Sequence, residues 1–279
     1  MKVLVTGATG FVGNYVIQNL LDHKIDVIAT STNIEKAKTF DWYSKITFIP
    51  YTIVGKDLNN LYHYFNAPDK IIHLAWKGLP NYTEIFHFTE NLMADFEFIK
   101  NLVDHGANDI SITGTCFEYG LQEGCLKEDL YTLPNNYYAL AKDTLHKSLI
   151  LYQNQKPFEL KWIRLFYMYG IGQNSNSLIA QLDKAIEEDL DYFNMSGGEQ
   201  LRDYLPIEKV ADNIVTIALQ NKTYGIINNC SGSPISVKDF VENYLREKNK
   251  KIKLNLGFYP YSKTEPMQFW GDASKMKNL

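Results

Sequence analysis

The first thirteen residues constrain the fold more than any other part of the chain. Residues 1–5 form a short, mostly apolar run, the loop TGATGFVG follows, and residues 14–21 are amphipathic. This order predicts a strand, a tight loop and a helix. Gly7 permits the sharp turn, Gly10 lets the backbone approach a pyrophosphate, and Gly13 lets the helix pack closely on the sheet. Because the free N–H groups and the dipole of the helix favour a pyrophosphate, we expect a bound dinucleotide.

Strand-like segments alternate with helical ones along most of the chain. The predicted strands are residues 2–5, 26–30, 47–50, 70–74, 109–113, 160–165 and 225–230. The predicted helices lie near residues 14–22, 58–65, 88–105 and 137–153. This alternation predicts an α/β fold with a doubly wound parallel sheet of the Rossmann type, which binds ligands at the carboxyl ends of its strands. From about Phe166 the pattern loosens.

The composition limits the classes of partner. A formal net charge of -4 argues against binding to nucleic acid or to a membrane surface. The three cysteines, Cys116, Cys125 and Cys230, form neither a disulfide framework nor a metal-ligand spacing, so we expect no metal. The N-terminus lacks a cleavable signal pattern, and no apolar run approaches the ~20 residues that span a bilayer. We therefore expect a cytoplasmic protein.

The residues after the second strand bear on the choice of nicotinamide cofactor. An NAD-selective site usually has an acidic residue there, on the ribose hydroxyls. Here the segment is Ser31-Thr32-Asn33, and no carboxylate follows until Glu35. Hydroxyl and amide groups can donate hydrogen bonds to a 2′-phosphate, which favours NADP(H) over NAD(H). The alternative interpretation is an ordinary polar loop that caps the next helix.

Several motifs resemble those of one family. The loop has the spacing G-x-x-G-x-x-G, Tyr138 and Lys142 form a Tyr-x-x-x-Lys pair, and residues 111–120 are SITGTCFEYG. These features resemble the extended branch of the short-chain dehydrogenase/reductase superfamily, the NAD-dependent epimerase/dehydratase family. The resemblance implies that Tyr138 and Lys142 are catalytic. It also implies that Thr115 supplies the catalytic hydroxyl of a Ser/Thr-x-x-x-Tyr-Gly motif.

Nicotinamide chemistry explains these residue types. A phenol with a pKa near ~10 is a poor acid–base group at neutral pH. Lys142 lies one turn after Tyr138, and its charge, together with that of an oxidised nicotinamide, should lower the pKa of Tyr138. Thr115 can orient the substrate oxygen by a hydrogen bond. Taken singly, Thr115 could instead bond to backbone at a strand end, and Lys142 could be a solvated helix residue.

Further matches imply contacts with cofactor and substrate. Segment His73-Leu74-Ala75 resembles the family's cofactor-contacting H-L-A, and Trp76 follows it where the family usually has a small residue. Residues 164–170 resemble R-x-x-N-x-Y-G, with Tyr167 replacing an asparagine that often contacts the phosphates of a nucleotide sugar. The expected cofactor-binding residues are Gly7, Thr9, Gly10, Phe11, Val12, Gly13, Ser31, Thr32, Asn33, Leu74, Ala75, Tyr138 and Lys142.

The later part of the chain is expected to hold the substrate. Arg202 matches a family motif and could clamp a diphosphate, whereas a structural ion pair with Asp203 or Glu208 is the alternative. The expected substrate-binding residues are Trp76, Thr115, Cys116, Tyr167 and Arg202. The resemblance implies a Rossmann core of residues 1–165, joined by 204–230, and a smaller C-terminal substrate lobe of residues 166–203 and 231–279.

Departures from the family pattern narrow the activity. The family's 4,6-dehydratases carry Thr-Asp-Glu at the active strand, whereas this chain has Thr115-Cys116-Phe117, which argues against dehydration. The remaining Thr, Tyr and Lys suffice for ketone reduction or for epimerisation by hydride return. Ser31 and the short C-terminal region favour reduction, and the segments TGTCFEYG, HLAW and EPMQFW resemble those of 4-ketoreductases that act on dTDP- or CDP-linked 4-keto-6-deoxy sugars. A nucleotide-sugar 4-epimerase with tightly bound NAD and a noncatalytic NADP-binding sensor are the alternatives.

The resemblance also implies a homodimer. Extended members of the family commonly pair the helices equivalent to residues 88–105 and 137–153 about a two-fold axis. The apolar rows are Phe88, Leu92, Phe96 and Ile99 on the first helix, and Leu140, Leu145, Leu149 and Tyr152 on the second. Core packing accounts for one face of each helix, and we expect Leu149 at the centre of the interface.

Overall fold

A computed structural model describes residues 1–54 and 60–279. The strands are β1 Lys2–Thr6, β2 Asp26–Thr30, β3 Thr47–Phe48, β4 Lys70–His73, β5 Asp109–Thr115, β6 Gly124–Leu126, β7 Glu159–Leu165, β8 Tyr167–Tyr169, β9 Tyr192–Asn194, β10 Leu201–Arg202, β11 Tyr204–Pro206, β12 Gly225–Asn229, β13 Ile235–Ser236, β14 Lys253–Asn255 and β15 Phe269–Gly271. The helices are α1 Phe11–Asp22, α2 Ile34–Lys38, α3 Leu61–Tyr64, α4 Leu92–Asp104, α5 Tyr137–Gln153, α6 Leu178–Glu187, α7 Ile207–Leu219, α8 Val237–Glu247 and α9 Ser274–Lys277.

The seven predicted strands form one parallel sheet, in the order β12-β7-β5-β4-β1-β2-β3. β1 pairs with β2 on one side and with β4 on the other, so that Val5 lies between Ala29 and Ile72. The chain therefore winds outward from β1 in both directions. The switch point between β1 and β4 is where doubly wound sheets bind ligands. The predicted α/β Rossmann topology is confirmed.

Helices α1 and α7 cover one face of the sheet. Ile17 of α1 and Ile214 of α7 belong to the same buried cluster as Val3 and Val5 of β1. The sequence analysis did not predict α7, although its apolar residues recur at intervals of three and four residues, the spacing of an amphipathic helix. The predicted helix near residues 58–65 corresponds to α3, and its first two positions, 58 and 59, lie outside the described residues.

The opposite face is covered by α4 and α5. Ile99 of α4 and both Leu145 and Leu149 of α5 are fully buried within the chain, in a cluster that includes Trp162. The placement of Leu149 at the centre of a dimer interface is therefore wrong, because the core already covers it. The apolar residues that these helices leave exposed are Met93, Tyr137, Leu140, Ile150 and Leu151.

The chain after β7 contributes to two further buried clusters. One joins α6, α8 and β9, and includes Leu182, Phe193 and Val241. The other lies near the end of β5 and includes Cys116 and Phe269. Within the described residues, no helix combines the length and the apolar character that crossing a bilayer requires.

Candidate active site

A cavity of about 470 Å³ opens at the carboxyl ends of β1, β4, β5 and β7. Most of the predicted site residues line it, namely Gly7, Gly10, Phe11, Val12, Gly13, Leu74, Trp76, Thr115, Cys116, Tyr138, Lys142 and Tyr167. The predicted residues outside its lining are Thr9, Ser31, Thr32, Asn33, Ala75 and Arg202. The fold therefore gathers segments separated by more than a hundred residues around one space.

The glycine loop forms the wall of this cavity next to β1. Gly7 has a φ of +67°, and a Cβ there would lie 2.8 Å from the backbone nitrogen of Ala75. A Cβ on Gly13 would lie 2.3 Å from the carbonyl oxygen of Gly7. Gly10 is the N-cap of α1 and brings no side chain to cover the first N–H groups of the helix. These positions fit a dinucleotide, since a pyrophosphate needs bare backbone at a helix N-terminus.

β4 supplies the opposite edge of the cofactor side. Thr6 Oγ1 accepts hydrogen bonds at 3.2 Å from the backbone nitrogens of both Leu74 and Ala75. His73 is buried, with Nδ1 2.9 Å from Thr6 Oγ1 and Nε2 2.6 Å from Asp95 Oδ1. His73 thus orients the hydroxyl that holds the strand end, and Leu74 is left facing the cavity.

β5 and α5 bring the three predicted catalytic residues together. Thr115 ends β5, while Tyr138 and Lys142 lie in the first two turns of α5. The side chain of Asn136 begins this helix by accepting a hydrogen bond at 2.9 Å from the backbone of Ala139. The three predicted side chains are buried and line the cavity.

The Thr115 hydroxyl has two partners. It accepts a hydrogen bond at 3.2 Å from the backbone of Phe117, so the backbone-bonded alternative holds for this residue. It also hydrogen-bonds the Tyr138 hydroxyl, which aligns both groups toward the same space. The Thr115 side chain is therefore fixed by the chain itself before any ligand binds.

Burial sets the acid–base character of this group. It raises the pKa of Tyr138, against a smaller opposing effect of the hydrogen bond to Thr115. Burial also lowers the pKa of Lys142 to about 8, against the attraction of Asp95 and Glu118. The sequence analysis expected Lys142 and the charge of an oxidised nicotinamide, acting together, to lower the pKa of Tyr138. In the chain alone burial dominates, and Tyr138 is a neutral acid.

A buried carboxylate behind Thr115 was missed by the sequence analysis. Glu118 accepts hydrogen bonds from the backbone of Thr115 at 2.8 Å and from Arg164 Nε at 2.7 Å. The indole nitrogen of Trp162 lies 3.1 Å from both carboxylate oxygens. Glu118 and Arg164 stand in the two motifs already noted, but only the pairing of β5 with β7 shows that they meet.

Trp76 contacts Lys142, Tyr138 and a buried histidine, His87, whose own ring centre lies 5.5 Å from that of Tyr138. The ring centre of Trp76 is 4.0 Å from Lys142 Nζ and 6.0 Å from the centre of the Tyr138 ring. Its indole nitrogen donates a hydrogen bond at 3.0 Å to Nδ1 of His87. His87 was not predicted from the sequence, because nothing in its local pattern distinguishes it from an ordinary helix residue.

The segment after β2 is polar but not part of the cavity lining. Asn33 begins α2 by accepting a hydrogen bond at 2.9 Å from the backbone of Lys36, so the capping alternative holds for this residue. The hydroxyl of Ser31 is buried and has no hydrogen-bond partner among the described residues.

Arg202 lies on the other side of the cavity, beneath Tyr167. Its Nη2 is 3.1 Å from Glu265 Oε2, and Tyr167 donates to the same oxygen at 2.6 Å. The expected alternative partners, Asp203 and Glu208, are not the ones used. Asp203 instead accepts from three backbone nitrogens, including that of Gly271. Arg202 is buried and already paired, so any anion must compete with Glu265 for it.

Comparison with known proteins gives a family match. A model of the NAD dependent epimerase/dehydratase family matches residues 3–230. The chain is 29% identical over 272 residues to dTDP-6-deoxy-L-talose 4-dehydrogenase (NAD(+)) of Aggregatibacter actinomycetemcomitans, covering 97% of this chain and 99% of that relative. It is 26% identical over 267 residues to dTDP-4-dehydro-6-deoxyglucose reductase of Escherichia coli, covering 89% of this chain and 82% of the relative.

A similar solved structure agrees on the fold. The UDP-glucuronic acid 4-epimerase of Bacillus cereus, in complex with UDP-glucuronic acid and NAD, has a TM-score of 0.85 and 24% sequence identity. The match covers 100% of this chain and 92% of that chain. At this level of identity the likeness supports the architecture, and the chemistry must be argued from the residues themselves.

Proposed function

This chain belongs to the NAD dependent epimerase/dehydratase family and is an enzyme of that class, and we propose that it reduces the 4-keto group of a nucleotide-activated 4-keto-6-deoxy sugar. One observation carries this proposal. Thr115, Tyr138 and Lys142 line the same cavity as Cys116 and Phe117, which occupy the positions where dehydratases of the family have an acid and a base. The chain thus keeps the groups that ketone reduction needs and lacks those that dehydration needs.

Cys116 is a poor substitute for a dehydratase acid or base. It is buried, and burial raises the pKa of its thiol, so that it stays protonated at neutral pH. Phe117 has no ionisable group. The pair instead gives this part of the cavity an apolar wall, which suits the methyl group of a 6-deoxy sugar.

Each chain residue has a distinct role in the proposed reaction. A reduced nicotinamide, when bound, supplies the hydride. Tyr138 donates its proton to the carbonyl oxygen as that oxygen gains charge, and the raised pKa keeps this proton in place until then. Thr115 orients the carbonyl oxygen by a hydrogen bond. The ammonium of Lys142 favours the phenolate that remains.

For the cofactor, we propose NADP(H) in preference to NAD(H). The absence of a carboxylate from the segment Ser31-Thr32-Asn33 supports a 2′-phosphate there. The relative of the talose series carries NAD(+) in its name, which makes NAD(H) the opposing outcome. A substitution at Ser31 therefore tests the preference.

For the substrate, we propose a dTDP- or CDP-linked sugar. Both curated relatives described above are named for dTDP-linked 6-deoxy sugars, one as a 4-dehydrogenase and one as a reductase. Oxidation and reduction at C4 are the same reaction in opposite directions, so these names fit one kind of site. We also propose that the chain acts as a cytoplasmic homodimer.

A panel of dTDP-, CDP- and UDP-4-keto-6-deoxy sugars with NADPH and NADH tests the proposal. The expected result is oxidation of the nicotinamide, followed at 340 nm, with a dTDP or CDP sugar as the best substrate. Interconversion of 4-hydroxy epimers by protein that is purified with bound NAD would establish the 4-epimerase instead. Cofactor binding without turnover of any sugar would support the noncatalytic sensor.

A further inference from the structure

The buried ammonium of Lys142 lacks ordinary partners. Its side chain is 1% exposed, and its Nζ makes no hydrogen bond to any described residue. A buried charge without a partner is strongly unfavourable. The ring of Trp76 lies over this ammonium, with its centre 4.0 Å from Nζ. An ammonium at that distance from an indole face is attracted by the ring quadrupole, and most strongly where water is excluded.

Trp76 is itself held in place from behind. His87 Nε2 donates to the carbonyl oxygen of Asn81 at 2.9 Å, which leaves Nδ1 free to accept the indole N–H of Trp76 at 3.0 Å. His87 is fully buried. It begins a π-helical turn, His87–Asn91, and such turns are frequent at functional sites. The chain Asn81–His87–Trp76 therefore fixes the indole plane over Lys142.

We propose that Trp76, fixed by His87, is a positioning residue that keeps the ammonium of Lys142 charged and beside Tyr138. This inference rests on the proposed function, because it assigns Lys142 the role of favouring the Tyr138 phenolate. It also explains why a large aromatic residue stands where the family usually has a small one.

The other charged groups that face Lys142 are already engaged. Asp95 on α4 is 2.6 Å from His73, and Glu118 after β5 is 2.7 Å from Arg164. His87 faces it from the π-helical turn, and burial lowers the pKa of this imidazole, so it is neutral at pH 7. Because burial brings the pKa of Lys142 to about 8, a modest loss of stabilisation would discharge it near neutral pH.

The first test is the pH profile of kcat/KM for Trp76→Leu and Trp76→Phe. Loss of the aromatic face should move the alkaline limb of the profile to lower pH by about 1.5 units, since a desolvated cation–π contact is worth about 2 kcal/mol and one pKa unit is about 1.4 kcal/mol. Trp76→Phe, which keeps an aromatic face, should move it less. An unchanged limb with a uniformly lower rate would overturn the inference, because Trp76 would then only contact the substrate.

The histidine has its own matched pair of variants. His87→Leu removes the acceptor of the indole N–H and should move the alkaline limb in the same direction as Trp76→Leu, by a smaller amount. His63→Leu removes an exposed histidine from α3 and should leave the profile unchanged. Equal profiles for the two histidine variants would overturn the role of His87.

A second readout needs neither substrate nor turnover. The emission of Trp76, obtained as the difference between wild type and Trp76→Phe, should titrate near pH 8 with Lys142. This titration should vanish in Lys142→Met. Lys142→Arg, which should also abolish it, replaces that variant where Lys142→Met folds poorly. A titration that persists in either variant would overturn the inference. If no 4-keto sugar is turned over but the titration is seen, the proposed function fails while the positioning of Lys142 stands.

Discussion

The two sides of the cavity are built in different ways. The cofactor side is formed largely by one short segment, the glycine loop at the end of β1, of which Gly7 and residues 10–13 line the cavity. The substrate side is formed by side chains from distant segments, among them Trp76, Tyr167 and, behind it, Arg202 with Glu265. A site formed by the backbone of one loop requires glycines at fixed spacing in the sequence. A site formed by converging side chains requires no fixed spacing. The first kind can be identified from the spacing of its residues alone, whereas Trp76, Tyr167 and Arg202 were predicted only through the resemblance to a family.

Substitution of Tyr138, which lies between the cofactor side and the substrate side, should have the largest effect on turnover. Tyr138→Phe removes the proposed proton donor and should lower turnover by ~10²–10⁴-fold, the usual contribution of general acid catalysis, with cofactor affinity nearly unchanged. Nicotinamide oxidation and a separate cofactor-binding titration measure the two quantities. Tyr137→Phe, a change at the exposed neighbouring tyrosine, is the control. Undiminished turnover in Tyr138→Phe would exclude the proposed role.

The cofactor side can be broken through its glycines. A Cβ on Gly13 would meet backbone oxygen at 2.3 Å, whereas a Cβ on Gly10 would meet it at 3.1 Å. Although alanine favours a helix interior by about 1 kcal/mol over glycine, Gly13→Ala should be net destabilising, because overpacking usually costs about 1–3 kcal/mol. Gly10→Ala should be less destabilising and act mainly on cofactor affinity.

Thermal melting with and without cofactor separates these two glycine effects. Gly13→Ala should lower the Tm of the protein without cofactor, while Gly10→Ala should mainly reduce the rise in Tm that cofactor causes. Equal Tm values for wild type and Gly13→Ala would contradict the close packing of α1 on the loop.

The selectivity segment should give an intermediate effect. Ser31→Asp places a carboxylate where a 2′-phosphate is proposed and should move the ratio of kcat/KM toward NADH by about tenfold, or about 1.4 kcal/mol. Ser31→Asn, of the same size without charge, is the control. A wild-type enzyme that already prefers NADH would remove the premise.

The sequence predicted the parts of the molecule whose signals are local. All seven strands of the sheet were predicted, because buried parallel strands are short continuous apolar runs between polar loops. The π-helical turn at His87 and the partner of Arg202 were not. Glu265 lies 63 residues from Arg202 in the chain, and only the folded path of the C-terminal region brings the two together.

The substrate side can be sharpened through Glu265. If Arg202 attracts a diphosphate, Glu265→Gln should lower KM for the nucleotide sugar, since it removes the competing carboxylate. The side chain of Glu265 is 32% exposed, so the effect should be about 1.4- to fivefold, in keeping with the ~0.2–1 kcal/mol of partly exposed ion pairs. Glu123→Gln, which alters another carboxylate bonded to the same segment, is the control. A raised KM would mean that Glu265 positions Arg202 or holds the substrate itself.

The outer surface of α4 and α5 lies away from both sides of the cavity, so substitutions there should affect activity least. The apolar rows predicted on these helices mixed core with surface, because period alone does not tell which apolar face is already covered. Leu149 is fully buried, whereas Leu151 is 67% exposed and Met93 is 54% exposed.

A homodimer through this surface should therefore depend on the exposed residues. Leu151→Glu should weaken association, because a two-fold axis brings each patch against its own copy and the new charges gather at one interface. Leu190→Glu, the same change at an exposed leucine outside both helices, should leave association intact. Leu151 lies 13 residues after Tyr138 on the same helix, about 20 Å away at ~1.5 Å per residue, so kcat should hardly change. Sedimentation of wild type decides the matter first: a monomer of 32.2 kDa at micromolar concentration would contradict the dimer.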